Sequence, residues 1–210
     1  MDTDAPEVIW RPSAERIERA RVTHFIDWLR LRKGIALADY HALWRWSVGD
    51  LEGFWSALVE YFDLPLDGER TPVLADRRMP GARWFPNTRT NYVRQIFRNA
   101  SAERPAIMFR NEADERDEVS WARLKREVGA LAAWLRSQGV GPGDRVVGWL
   151  PNIPQTVTAF LAVASVGAIW SLCSPEMGVA AVVDRFRQIE PKVLFAVDGY
   201  RWSGKAHDRR

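Results

Sequence analysis

Three short apolar runs in the C-terminal half of this chain constrain its fold more than any other feature. They are RVVGWL at 145–150, AIWSL at 168–172 and KVLFAV at 192–197. Each is of strand length, and each is apolar almost continuously instead of at every second position. That is the pattern of a strand covered on both faces. The links between them are too long for hairpins and carry helical patterns. One helix runs from about Pro154 to Val166, and another at about 178–189 sets Val182, Val183, Phe186 and Ile189 on one face. Strand, helix, strand, helix, strand in this order predicts parallel strands joined by right-handed crossovers.

Upstream, a helix from Ser120 through about Gln138 carries Leu124, Val128, Leu131, Ala132 and Leu135 on one side, and GVGPGD stops it. PAIMFR at 105–110 is a predicted strand. NEADERDE at 111–118 is a charged, solvated turn, after which Val119 and Trp121 resume an extended piece. The first part of the chain is helical. One helix over 13–33 starts at a Ser13 cap and ends at Gly34. Asp39 caps a second that carries Leu43, Trp44 and Trp46. A third starts near Asp50 with Leu51, Phe54, Trp55, Leu58, Val59 and Phe62. The aromatic stripe of these helices suits a core better than a partner surface. Between the two parts, Pro65, Pro72, Pro80 and Pro86 mark an extended crossing segment, with Trp84, Phe85 and Arg89 as a packed strap. The short helix YVRQIFRN follows, capped by Asn91 or Thr90. The predicted organisation is a helical module at 1–64, a connecting segment at 65–104 and a partial α/β domain at 105–210. An apolar share of 47% over 210 residues supports a globular chain of one or two domains.

Several function classes are excluded. With 30 basic against 27 acidic residues and no long Lys/Arg block, a nucleic-acid partner has no footprint. The opening MDTDAPEVIW is acidic and is no secretory signal. The most apolar segment, VTAFLAVASVGAIWSL, is too short and too interrupted by glycine to span a membrane. A single cysteine, Cys173, rules out an internal disulfide and fits a cytoplasmic address. His24, His41 and His207 lack the spacing of zinc ligands.

The final stretch, FAVDGYRWSGKAHDRR, places Gly199, Gly204 and Lys205 at the spacing of a Gly-x4-Gly-Lys phosphate loop. Three features oppose that reading. Ala206 stands where a Ser or Thr hydroxyl holds magnesium. Tyr200, Arg201 and Trp202 fill an interior that favours small residues. Such a loop opens a helix, yet only five residues follow Lys205. A basic, aromatic turn is the better reading. Elsewhere, Pro151, Asn152 and Pro154 follow a strand end, where open parallel sheets bind ligands, but a rigid helix start capped by Asn152 explains them sufficiently. Ser174 and Pro175 follow the next strand in the same way. Cys173 has no histidine or cysteine mate and is no nucleophile. Asp144 caps or pairs locally. Asp198 ends a strand as in a dinucleotide fold, without the Gly-x-Gly-x-x-Gly fingerprint. Residues Glu112 to Glu118 show no carboxylate pair suited to acid–base work.

The stretches RMPGARWFPNTRTNY, GVGPGDRVVGWLPNIPQTVTAFLAVASVGAIWSLCSP and RFRQIEPKVLFAVDGYRWSGKAHDR closely resemble acetoacetyl-coenzyme A synthetases. These are the acetoacetate–coenzyme A ligases of the AMP-forming acyl/acetyl-coenzyme A synthetase superfamily. The likeness covers about residues 8–209. It implies an acetyl-coenzyme A synthetase-type module at the N-terminus, then the opening βαβ portion of a large adenylate-forming domain. It implies ATP, magnesium and coenzyme A as cofactors and acetoacetate or a similar short acyl acid as substrate. Acyl-adenylate and pyrophosphate would form first, and coenzyme A would then displace AMP. The resemblance also places Arg201 and Lys205 against the 3′-phosphate side of coenzyme A, with Trp202 covering the turn or stacking on adenine. No stretch of these 210 residues clusters Ser, Thr and Gly closed by Pro-Lys. The chain is therefore expected to be an N-terminal fragment without catalytic residues of its own. Two alternatives are a non-catalytic interaction protein, with its Trp-rich helices and sheet edge meeting a partner chain, and a small nucleotide-binding domain.

Overall fold

Side-chain caps set most of the helix starts in the first part of the chain. In the computed structural model, which describes residues 8–210, Ser13 accepts a hydrogen bond from the Arg16 amide at 3.3 Å and opens α1 (Ala14–Glu18). The acidic opening read against a secretory signal lies, through residue 7, outside the described residues. The single helix expected over 13–33 is two. Ala20 takes an extended conformation with ψ 137°, and α2 (Arg21–Lys33) starts beyond it. The Thr23 hydroxyl spans the break by donating to the Ile17 carbonyl at 2.6 Å. Both pieces keep helical spacing, so periodicity alone is blind to the interruption. Gly34 ends α2 at φ 67°, a left-handed cap that suits glycine. Asp39 caps α3 (Tyr40–Gly49) through the Ala42 amide, and Asp50 caps α4 (Leu51–Tyr61) through the Gly53 amide.

These helices bury Phe25, Leu29, Leu43 and Ala57 together, with Trp46, Phe54 and Tyr61 packed around them. The Tyr61 ring meets Phe25 edge-on at 4.9 Å. Of the aromatic stripe, Trp46 and Phe54 pack against this core, whereas Trp44, Trp55 and Phe62 stay exposed. The proline-rich stretch is not a simple extended crossing. It folds back on itself as β1 (Asp67–Gly68), β2 (Leu74–Asp76), β3 (Arg83–Trp84) and β4 (Thr88–Arg89), in antiparallel pairs β1–β4 and β2–β3. Trp84 of the expected strap packs its ring 5.6 Å from Trp55.

The chain divides into two compact units between Arg89 and Thr90. The second begins with α5 (Tyr92–Arg98), capped by Asn91 through the Val93 amide. The same side chain donates to the Ala164 carbonyl at 2.9 Å, and Val93 enters the second unit's core. Next come β5 (Ile107–Arg110) and β6 (Arg116–Val119), an antiparallel pair. The charged turn is therefore shorter than 111–118. Arg116 and Glu118 point outward while Val119 is wholly buried, an alternation hidden by the density of charge. Trp121 is not extended. It is the first residue of α6 (Trp121–Ser137), which Ser120 caps through the Arg123 amide.

The remaining elements are β7 (Arg145–Trp149), α7 (Pro154–Ser165), β8 (Ile169–Cys173), α8 (Val179–Arg187), β9 (Val193–Ala196), β10 (Gly199–Trp202) and β11 (Lys205–Asp208). The sheet order is β8-β7-β9, parallel throughout, as the apolar runs predict, but only the central β7 is covered on both faces: Ile169 and Leu172 of β8 and Leu194 of β9, on the sheet's edges, are exposed. Val146 and Val147 on β7 are both fully buried but face opposite ways. Val146 joins Leu135, Ala162 and Val163 beneath α6 and α7, and Val147 joins Val182 and Phe186 of α8. Gly148 leaves room for its neighbour's ring, because a Cβ there would lie 2.7 Å from Trp170. No helix among the described residues is long and apolar enough to cross a membrane.

Asp144, expected to pair locally, does so only in part. It accepts from the Gly141 amide at 2.8 Å and from Lys192 Nζ, far along the chain, also at 2.8 Å. Arg145 adds a bond to the Ile189 carbonyl at 2.6 Å, so the starts of β7 and β9 are tied together. The Lys192 ammonium, then the Gly141 amide, holds the Asp144 carboxyl below its ordinary value.

Three substitutions test this packing. Leu135→Ala should cost about 2–5 kcal/mol in urea unfolding, as a truncation at a wholly buried site. Gly148→Val should cost about 1–3 kcal/mol by forcing Trp170 and Leu172 aside. The lowered Asp144 value contributes stability above the ordinary value of 3.8, and that contribution is lost as pH falls below it. Asp144→Asn should therefore be less stable than wild type at neutral pH. The gap should close in acid-unfolding curves taken below the ordinary value.

Candidate functional site

Parallel strands point their C-terminal ends the same way, so the segments after β7, β8 and β9 converge on one edge of the sheet. With the β5–β6 turn and the last hairpin they surround a cavity of about 730 Å³. The segment after β7 is held from below. Thr156 donates its hydroxyl to the Pro151 carbonyl at 2.7 Å, and Pro154 occupies the first turn of α7. The helix cap is Ile153, with no side-chain bond, so Asn152 is not the cap expected from the sequence. Asn152 lines the cavity instead. Proline at the first helical position removes one amide that a cap would otherwise satisfy.

The segment after β8 is fixed by Trp149, whose indole donates to the Ser174 carbonyl at 3.1 Å. The Ser174 hydroxyl donates to the Glu176 carboxylate, which holds that carboxyl below its ordinary value. Both residues line the cavity. Cys173, just before them, is buried on the α8 side.

The near-phosphate-loop stretch is a β-hairpin. Gly199 lies on β10, Gly204 at the tip and Lys205 on β11, and among the described residues no helix follows. Ser203 and Gly204 have φ of 51° and 75°, the paired left-handed geometry of a two-residue hairpin turn. The Ser-Gly dipeptide between alternating residues is the local signal for such a turn.

The ladder separates the two cations singled out in the sequence. Tyr200 faces His207 and stacks on it at 4.9 Å, and Trp202 pairs with Lys205 two positions on, so these four share one face. Arg201 pairs with Ala206 on the other face. Arg201 and Trp202 line the cavity, whereas Lys205 is not among the residues that do. At the base of the hairpin, the Arg209 guanidinium lies 5.3 Å from the Tyr200 ring and 5.9 Å from the Trp149 ring. Its Nη2 donates to the Tyr200 hydroxyl at 3.1 Å.

Glu112 is the residue that sequence reasoning missed. It sits in the turn read as solvated, yet its two oxygens accept from the Ser203 amide at 3.0 Å and the Gly204 amide at 2.8 Å. The Gly204 amide first, then the Ser203 amide and the nearby Arg201 charge, holds this carboxyl below its ordinary value. Its partners lie 91 and 92 positions away, so no local pattern announces it.

Comparison with known proteins now bears on this arrangement. The family model for AMP-binding enzymes matches residues 95–209, and that for the acetyl-coenzyme A synthetase N-terminus matches 40–96. The chain belongs to the AMP-binding enzyme family. Acetoacetyl-coenzyme A synthetase of Rhizobium meliloti (strain 1021) is 42% identical over 209 residues, which is 99% of this chain and 32% of that protein. The Xenopus tropicalis acetoacetyl-CoA synthetase is 36% identical over 96% of this chain and 30% of its own length. A solved structure, acetoacetyl-CoA synthetase from Streptomyces lividans, superposes with a TM-score of 0.93 at 49% identity, covering 97% of this chain and 32% of that one. The chain thus spans about a third of the length of the relatives it matches. The α/β architecture, a helical opening followed by an incomplete ligase large domain, is the one the resemblance implies.

Proposed function

We propose that this chain serves an acetoacetate–coenzyme A ligase. The activity is ATP-dependent formation of an acyl-adenylate and pyrophosphate from acetoacetate or a similar short acyl acid. Transfer of the acyl group to coenzyme A, with release of AMP, follows. The observation that carries this reading is the 0.93 superposition, at 49% identity, on an acetoacetyl-CoA synthetase. We propose a cytoplasmic address, which a chain with a single cysteine fits.

The share of the reaction these residues supply is recognition rather than bond-making. Among the described residues, no group of three or more His, Cys, Asp and Glu is placed to hold a metal ion. The tip amides that would cradle ATP phosphates in a Walker loop are taken by Glu112. No step of adenylate formation is assigned to this part of the chain. For coenzyme A the fit is better. Arg201 lines a cavity at the strand ends, fork-shaped and permanently charged, and suits a terminal phosphate. Lys205, across the ribbon, adds attraction over a longer range. Trp202, largely exposed beside Arg201, offers a ring face to adenine. Thioester formation needs the adenylate held still and water kept out, and the walls of this cavity would contribute to both.

Two measurements test the reading. Protein purified from its natural source through an N-terminal tag should release AMP from ATP only when acetoacetate or another short acyl acid and coenzyme A are supplied. No acid-dependent AMP would overturn it. In calorimetric titration of the 210-residue chain, Arg201→Ala should weaken coenzyme A binding by roughly tenfold or more, the scale of one charge-assisted hydrogen bond. Binding of the 3′-dephosphorylated form should change much less. Equal losses for both ligands would place the phosphate elsewhere.

A further inference from the structure

We propose that Glu112 is the positioning residue of the basic hairpin: its carboxylate, seated on the Ser203 and Gly204 amides, holds Arg201 and Trp202 at the rim of the cavity. The consequence for coenzyme A rests on the function proposed above. The placement of the hairpin does not.

The hairpin needs an external hold. β10 and β11 form a sheet of their own and are not paired with β8-β7-β9. A lone two-stranded ribbon is marginally stable in water and needs contacts outside itself. The base is pinned by Arg209, between the rings of Tyr200 and Trp149. The tip is pinned by Glu112. Consecutive left-handed residues turn their amides into a concave anion seat, and an internal carboxylate fills it at 3.0 and 2.8 Å. Charged acceptors of this kind make the stronger class of hydrogen bond.

The anchor itself is stiff. Glu112 lies in a turn braced by Asn111, whose side-chain oxygen accepts from the Ala113 and Glu115 amides, each at 3.0 Å. The Asn111 side-chain nitrogen donates to the Glu115 carboxylate at 2.6 Å. Asp114 adds ion pairs with Arg110 and Arg116, joining the turn to the ends of β5 and β6. A braced hairpin on one side of the cavity therefore holds the separate two-stranded ribbon on the other. Glutamate suits the task by chemistry as well as reach. Both of its oxygens accept, whereas the isosteric glutamine would turn an N–H₂ group against one of the two amides.

The test uses Glu112→Gln and Glu112→Ala in the 210-residue chain, with two readouts. Amide exchange by NMR should show Ser203 and Gly204 exchanging roughly tenfold faster or more in both variants, while Val146 and Val147 on β7 keep their protection. The preference for coenzyme A over its 3′-dephosphorylated form should fall several-fold in both, because Arg201 no longer stands in one place. A purely structural loss would expose the β7 amides too and lower both affinities alike. Unchanged exchange at Ser203 and Gly204 overturns the proposal. So does lost protection with an unchanged ligand preference. A wild-type chain with no preference between the two ligands overturns the coenzyme A reading instead, and the exchange rates still decide the role of Glu112.

Discussion

Burial of β7 on both faces is the constraint on which the second unit depends. Val146 and Val147 are adjacent and both fully withdrawn from water, so each side of the sheet must be covered. α6 and α7 cover one side and α8 the other. β8 and β9 run parallel to β7, and parallel strands need crossovers, so α7 and α8 are carried onto opposite faces. The parallel order in turn sends the three strand ends to one edge. The cavity is there because the core is built that way, before any of its lining residues is chosen.

What lines the cavity shows a division of labour. The sheet supplies position, and the loops supply chemistry. Trp149 serves both, since its indole fixes Ser174 and its ring receives Arg209. The hairpin carries the cation and the aromatic surface, while the β5–β6 turn and Arg209 decide where they stand. An arginine at the rim attracts an anionic ligand more strongly when it is held. A flexible cation would lose conformational freedom on binding and give back part of the attraction.

The strands and helices of the sheet were legible because their hydrophobic periods are strong and their boundaries carry Gly, Pro and capping residues. Asn91, Ser120 and Gly34 act as their residue types suggest. The break at Ala20 was not legible, since the helical spacing continues through it. β6 was hidden because three of its four residues are charged. Within the site, the family resemblance singled out Arg201, Lys205 and Trp202, of which Arg201 and Trp202 line the cavity. Lys205 does not line it. Across the two-residue turn the ladder sets Arg201 and Lys205 on opposite faces of the ribbon, which their spacing along the chain does not show.

The sequence by itself determined the class of the fold, the identity of most elements and the family, because these follow from local propensity, from periodicity and from runs of residues that stay contiguous. Only the tertiary structure decided which groups meet. Glu112 with the hairpin tip, Lys192 with Asp144 and Arg209 with Trp149 are contacts between distant segments. Their partners are chosen by how the strands stack and where the turns fall. Hydrogen bonds and ring contacts act over a few ångströms of space, and no spacing along the chain encodes that distance.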